Sequence, residues 1–261
     1  MPSEFTLTLS SPGPIAISIG SVVVRWYGVF IGIGFLAAYF LAEKLAVKNK
    51  LSIEHFNNLV FLVLIFSIVF ARLWFVFLNL DYFKEHLSEI PKIWYGGQSV
   101  HGGLVGGVFI LWLYTKLKKI SFYKYVDIAG IVVPLAQALG RWGNFFNNEA
   151  FGLPISSSLI RLYVPLQYRP VEYINYEYFH PTFLYESLLD FVIFIFLYKQ
   201  YKEWKRNPGK TFWIYLLMYS TVRFCLEFLR VDSLYFLGFP AAQVISVIFA
   251  LLSMVMLLRL K

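Results

Sequence analysis

The sequence predicts an all-α polytopic membrane protein, and three observations carry that prediction. Of the 261 residues, 59% are hydrophobic and only 15% are charged. The apolar residues gather in repeated runs long enough to cross a bilayer, which explains so skewed a composition. Seven Trp and 18 Tyr suit broad aromatic belts at two membrane–water interfaces.

Seven spans follow from these runs, over residues 22–45, 58–78, 102–114, 126–139, 183–199, 212–228 and 240–258. The third and fourth are short and are expected to extend into their flanks. Basic residues set the orientation. On the side that holds the C-terminus lie Lys44, Lys48 and Lys50, then Lys116, Lys118, Lys119 and Lys124, then Lys199, Lys202, Lys205, Arg206 and Lys210, and finally Arg259 and Lys261. That is fourteen of the 23 cations. The opposite side keeps only Lys84, Lys92, Arg161 and Arg169 as loop charges. The C-terminus is therefore expected in the cytoplasm and the N-terminus outside. The net charge of +8 belongs to these cytoplasmic loops, not to a nucleic-acid surface.

Two outer segments are long enough to carry structure, residues 81–100 and 153–181. The second is rich in Tyr, Ile and Val with Pro154, Pro165, Pro170 and Pro181 as breakers. It reads as a small extracytoplasmic arm, extended or hairpin, lying on the membrane surface. The whole chain, residues 1–261, reads as a single integral-membrane domain. The first twenty residues lack a basic region followed by an apolar one, so no cleaved signal peptide is expected. The single cysteine, Cys225, excludes an internal disulfide and a cysteine-based metal cluster, and reads as core packing.

Polar residues inside or beside hydrocarbon are costly unless they meet partners or a ligand. The predicted topology gathers them on one side. Arg25 and Tyr27 open span one at the outer face, and Arg72 lies in the outer half of span two. His101 precedes span three. Arg141, Asn144, Asn147 and Glu149 follow span four, and His180 precedes span five. Arg223 and Glu227 lie in the outer half of span six, with Arg230 at its end. Several cations at outer-leaflet level with few carboxylates near them suit an anionic ligand such as a phospholipid head group.

Each element also has a plainer explanation. Arg223 and Glu227, spaced i, i+4, make a structural ion pair on one helix face. His101 is placed as a helix-start residue. Gly102 with Gly106 and Gly103 with Gly107 read as close helix packing, as do Gly28 and Gly32. Asp127 reads as structural, and Asp190 as bonded to a neighbouring helix.

The box Gly140-Arg141-Trp142-Gly143-Asn144-Phe145-Phe146-Asn147-Asn148-Glu149-Ala150-Phe151-Gly152 resembles the signature of the bacterial prolipoprotein diacylglyceryl transferases, Gly-Arg-x-Gly-Asn-Phe-x-Asn-x-Glu-x-x-Gly, at every fixed position. Further boxes occur in the family's order: Trp26-Tyr27-Gly28, His101-Gly102-Gly103-Leu104, His180-Pro181-Thr182-Phe183-Leu184-Tyr185-Glu186 and Arg223-x-x-x-Glu227-Phe228-x-Arg230. The resemblance covers essentially the whole chain, although residues 153–179 map onto no motif.

The resemblance implies a multi-pass protein of the bacterial cytoplasmic (inner) membrane. It implies that the diacylglyceryl group of phosphatidylglycerol moves to the lipobox cysteine thiol of a preprolipoprotein, with thioether formation and release of glycerol phosphate. The thiol must become a thiolate, and charge developing on the departing phosphate must be stabilised. His101 is then the candidate base, with His180 the weaker alternative. Arg141 and Arg223 are candidates for the phosphate. Asn144 and Asn147 suit head-group hydroxyls or phosphate, and Glu149 and Glu227 suit orienting the arginines. Tyr27 suits a lipid oxygen, Gly152 a close backbone approach, and Arg72 the same anionic substrate. No metal, redox cofactor or nucleic acid is implied.

Two rival classes are weighed beside it. A transporter or flippase for an anionic lipid places polar groups near the midplane and often shows an inverted repeat, which is not evident here. An intramembrane serine protease needs an activated serine, and neither Ser67 nor Ser246 has a glycine-rich nucleophile context.

Overall fold

The computed structural model describes residues 6–20, 22–156, 159–236 and 238–260. Among them the chain is mostly helical. Eight α-helices are present: α1 (Trp26–Lys48), α2 (Ile53–Leu78), α3 (Leu80–Glu85), α4 (Val100–Leu117), α5 (Phe122–Asn147), α6 (Thr182–Trp204), α7 (Lys210–Glu227) and α8 (Ala241–Arg259). Five of these, α1, α2, α4, α5 and α8, are long and apolar enough to cross a membrane by length and composition. The other two long helices, α6 and α7, carry Glu186 and Asp190, and Arg223 and Glu227, inside otherwise apolar sequence. The architecture is that of a polytopic membrane protein.

The helix boundaries depart from the expected spans by several residues in places, α2 beginning at Ile53 and α6 running on to Trp204. Residues Val22–Arg25 are a strand rather than the start of the first helix. The third and fourth spans do extend, and α5 runs on to Asn147, so Arg141, Asn144 and Asn147 lie on its last turns rather than after it. Pro240 ends the last short strand and stands at the N-cap of α8, with extended backbone, instead of opening the helix.

The chain is not purely helical. Seven short strands form three small sheets among the described residues: β1 (Leu7–Ser10), β2 (Ile15–Ile19), β3 (Val22–Arg25), β4 (Ile160–Tyr163), β5 (Tyr178–Phe179), β6 (Tyr235–Phe236) and β7 (Phe239–Pro240). β2 pairs antiparallel with β3, and β6 with β7. The arm forms the expected hairpin, β4 antiparallel to β5, but it gains a third strand because β1 pairs in parallel with β4, Leu7 opposite Ile160. It also has its own core, where Phe151, Leu162, Val164, Phe179 and Phe183 are buried with Leu9, Phe145 and Leu184 against them. The arm is therefore packed onto the ends of α5 and α6.

The chain divides into two compact units, Met1–Ala42 with Val126–Lys261, and Glu43–Tyr125. In the larger unit three polar contacts lace α5 to its neighbours. Buried Asp127 accepts hydrogen bonds from the backbone N–H groups of Gly209 at 2.7 Å and Phe212 at 2.9 Å, serving the N-terminus of α7 from another helix. Ser187 Oγ donates to Ala138 O at 2.8 Å, and Tyr215 Oη to Gln137 Oε1 at 3.0 Å. In the smaller unit α4 lies against α2 through the two glycine pairs. A Cβ on Gly102 would lie 2.6 Å from Phe70 O, one on Gly106 3.1 Å from Phe66 O, and one on Gly103 3.3 Å from Ser67 O. Gly28 and Gly32, expected to pack likewise, face open space. Cys225, expected in the core, is exposed on α7. On a lipid-bathed helix an apolar side chain needs no protein neighbour, so hydrophobicity alone did not fix its direction.

Candidate active site

The end of α5 explains how the polar box is presented. Asn148 and Ala150 adopt left-handed backbone, φ 54° and 56°. Asn tolerates that region through its short polar side chain, whereas for Ala it is unfavourable by about 1–2 kcal/mol. The turn they form closes the helix, with Asn148 N–H donating to Phe145 O and Glu149 N–H to Asn144 O, both at 3.1 Å. It also turns Glu149 back, so that Oε1 accepts from Asn144 Nδ2 at 2.7 Å and Asn147 Nδ2 at 3.3 Å. Ala150 thus holds an uncommon backbone conformation next to a carboxylate bound by two amides.

Arg141 stands on the last turns of α5 before this turn, Arg223 lies near the end of α7, and Arg230 follows that helix, bridging Gly152. Arg141 Nη2 donates to Glu186 Oε1 at 2.5 Å, and its Nη1 makes only a long 3.4 Å contact with Asn144 Oδ1. Arg223 Nη2 pairs with Glu227 Oε2 at 2.7 Å. Arg230 grips Asp232 with two bonds, at 2.9 and 2.7 Å, and approaches Glu186 Oε2 at 3.8 Å. Each arginine thus has a carboxylate, which corrects the expectation of cations in excess. Net positive charge is not what fits the cluster for an anion. A free donor is: Arg223 Nη1 is buried with no hydrogen-bond partner among the described residues, while Asn147 Oδ1, a buried acceptor in the same state, suits a hydroxyl and not a phosphate.

Close packing fixes the rest. Tyr27 lies against Gly143, where a Cβ would come 2.9 Å from its ring, and Trp26 stacks on Phe146 with centroids 4.9 Å apart. Gly152 donates to His180 O at 2.8 Å, and a Cβ there would meet Leu229 O at 2.7 Å and Thr182 Cγ2 at 2.8 Å. His180 Nδ1 lies 3.3 Å from Tyr185 Oη, and partial burial holds its imidazole below the ordinary histidine range.

A family model described as prolipoprotein diacylglyceryl transferase matches residues 14–259. The chain belongs to this family. The phosphatidylglycerol–prolipoprotein diacylglyceryl transferase of Thermotoga maritima is 43% identical over 236 residues, covering 90% of this chain and 80% of the relative. Enzymes of the same name from Prochlorococcus marinus and Staphylococcus aureus are each 40% identical, over 255 and 242 residues, with 90% and 92% of this chain and 85% and 86% of theirs covered.

Within this family member, nine sequence-predicted site residues fall in the larger unit: Tyr27, Arg141, Asn144, Asn147, Glu149, Gly152, His180, Arg223 and Glu227. Arg72 and His101 belong to the smaller unit. His101 is exposed in the first turn of α4, and the capping residue there is Ser99, whose Oγ accepts from Gly102 N–H. Sequence reasoning quoted Glu186 and Arg230 inside family boxes but gave them no role. Glu186, 1% exposed, reaches two arginines and is the hub of the cluster. A carboxylate at helix depth was the available signal. Asp190, one turn further along α6, is fully buried with both oxygens unpartnered among the described residues, contrary to the expected bond to a neighbouring helix.

Proposed function

We propose that this protein transfers the diacylglyceryl group of phosphatidylglycerol to the lipobox cysteine of a preprolipoprotein, the first step of lipoprotein maturation. Its family membership supports the reaction, and the buried donor of Arg223, without a partner among the described residues, is the observation that supports the site. The lipid phosphate accepts from Arg141 and Arg223, whose planar donors match its oxygens while Glu186 and Glu227 hold them in register. Asn144 and Asn147, steadied by Glu149, bond the head-group hydroxyls, and Tyr27 a lipid oxygen. Gly152 keeps the turn that carries Glu149 close-packed.

His101 takes the proton of the substrate thiol, with His180 as the weaker alternative. A free thiol has a pKa of about 8.5 and a histidine about 6.5, so the transfer needs little help from the site. The thiolate sulfur then attacks the glyceryl carbon that bears the phosphate. The C–S bond forms, the C–O bond breaks, and its electron pair leaves on glycerol phosphate, where the arginines meet the growing charge. The proton passes from the imidazole to the departing phosphate or to solvent. The chain acts as one integral-membrane domain with seven crossings, α1, α2 and α4–α8, in a bacterial cytoplasmic membrane. The N-terminus lies outside and the C-terminus inside.

Purified Arg141→Lys and His101→Gln, assayed with labelled phosphatidylglycerol and a lipobox peptide, are each expected to lose most transfer activity while remaining folded. Near-normal rates in both would discard the assignment.

A further inference from the structure

Arg72 stands apart from the other arginines. It is 6% exposed, near the C-terminal end of α2, and makes no ion pair among the described residues. Its guanidinium instead donates to four backbone carbonyls of one segment: Nε to Ile90 O at 2.8 Å, Nη1 to Gly96 O at 2.8 Å and Gly97 O at 2.9 Å, and Nη2 to Glu89 O at 2.6 Å. The rings of Phe75 and Phe83 lie 5.8 and 5.1 Å from its central carbon. The Glu89 carboxylate is bound to Tyr82 Oη, at 2.9 Å. Four of five donors are thereby committed, leaving little for a phosphate.

The segment is built for this. Gly96 and Gly97 have φ of 84° and 73°, a conformation that glycine adopts without strain. A Cβ at Gly97 would lie 2.8 Å from Arg72 Nη1 and 2.9 Å from Phe75 Cδ1. Just beyond, Ser99 N–H donates to Ala71 O at 3.0 Å, the residue next to Arg72, and Ser99 then caps α4. Two consecutive residues of α2 therefore hold the segment and its exit, and His101 follows two residues later.

We propose that Arg72 is a positioning residue rather than a lipid ligand. It clamps residues 89–97 so that the first turn of α4, and with it the His101 imidazole, is held in one place. This rests on the reading of His101 as the base, and the test separates the two.

Arg72→Lys keeps the charge but cannot span four carbonyls, and Gly97→Ala disturbs the clamp while leaving the guanidinium present. Both variants are assayed over a range of phosphatidylglycerol concentrations, and amide hydrogen exchange is followed across residues 89–101. The clamp predicts that kcat falls roughly tenfold or more in each, that KM for phosphatidylglycerol stays within about twofold, and that exchange in the segment quickens roughly tenfold, as expected for losing hydrogen bonds to a charged group. Exchange in the rest of α2 and α4 stays slow, which excludes general unfolding. A rise in KM with kcat and exchange unchanged would make Arg72 a lipid ligand and overturn the proposal. So would unchanged exchange, or faster exchange with normal kcat. If His101→Gln alone kept full activity, the base assignment would fail, whereas the exchange result would still decide whether the clamp exists.

Discussion

The two units bury arginine in opposite ways. In the larger unit Arg141, Arg223 and Arg230 each face a carboxylate, and Arg223 keeps a buried donor without a partner among the described residues. In the smaller unit Arg72 faces four neutral carbonyls. A guanidinium whose donors end on backbone is fully engaged and shapes the chain around it. One paired to a carboxylate has its charge balanced at rest yet keeps spare donors, so an incoming phosphate adds bonds rather than replacing them. Residue type is the same in both units, and the partners are what differ.

The largest expected effect that sharpens this contrast lies at Glu186. Glu186→Gln removes the charge facing Arg141 and Arg230, and should lower stability by about 3 kcal/mol, the low end for breaking a buried pair because the amide oxygen still accepts. Thermal unfolding in detergent reads this, and an unchanged midpoint would remove Glu186 as the hub. Gly152→Ala comes next, at about 1–3 kcal/mol, because the added methyl has no free space. Its transfer rate should fall as the turn at 148–150 is displaced, and a normal rate would show that the turn is not needed in this form. Asp127→Asn should cost about 0.5–2 kcal/mol through the weakened cap on α7, with kcat unchanged since it touches no proposed substrate group. A fall in kcat would tie that end of the bundle to the chemistry.

The smallest effect is a pH dependence at His180. Its folded pKa is lowered by burial. The unfolded chain therefore binds a proton from about pH 6.5 downward while the folded chain resists it. Stability from this group is fully present above that pH and is lost as the pH falls toward the lowered folded value. Unfolding midpoints at pH 7.5 and 5.5 should differ less in His180→Gln than in the unsubstituted protein, and an equal difference would count against the burial argument.

Much of this was legible before any coordinates. Apolar runs located the long helices, and the box at 140–152 and the Arg223–Glu227 spacing both fall in the larger unit. What escaped depends on partners distant in sequence. β1 joins β4 across about 150 residues, with no local pattern to announce it. Glu186 was visible as a carboxylate at depth, but its bond to Arg141 spans 45 positions. Arg72 was read as one more cation for an anionic ligand, since composition gives charge and depth but not the carbonyls that glycines 96 and 97 turn toward it. The exposure of Cys225 and the open space beside Gly28 and Gly32 follow from lipid being as good a neighbour as protein, which leaves the direction of an apolar residue undetermined by its hydrophobicity.

Glycerol phosphate, the proposed leaving product, tests the phosphate cradle without any thiol chemistry. Its inhibition constant against transfer can be measured for the unsubstituted protein and for Arg223→Lys, which preserves a charge facing Glu227 but not the fork of donors. Loss of one charge-assisted bond predicts an inhibition constant raised roughly tenfold or more. An inhibition constant identical in the two proteins would contradict the assignment of Arg223 to the lipid phosphate.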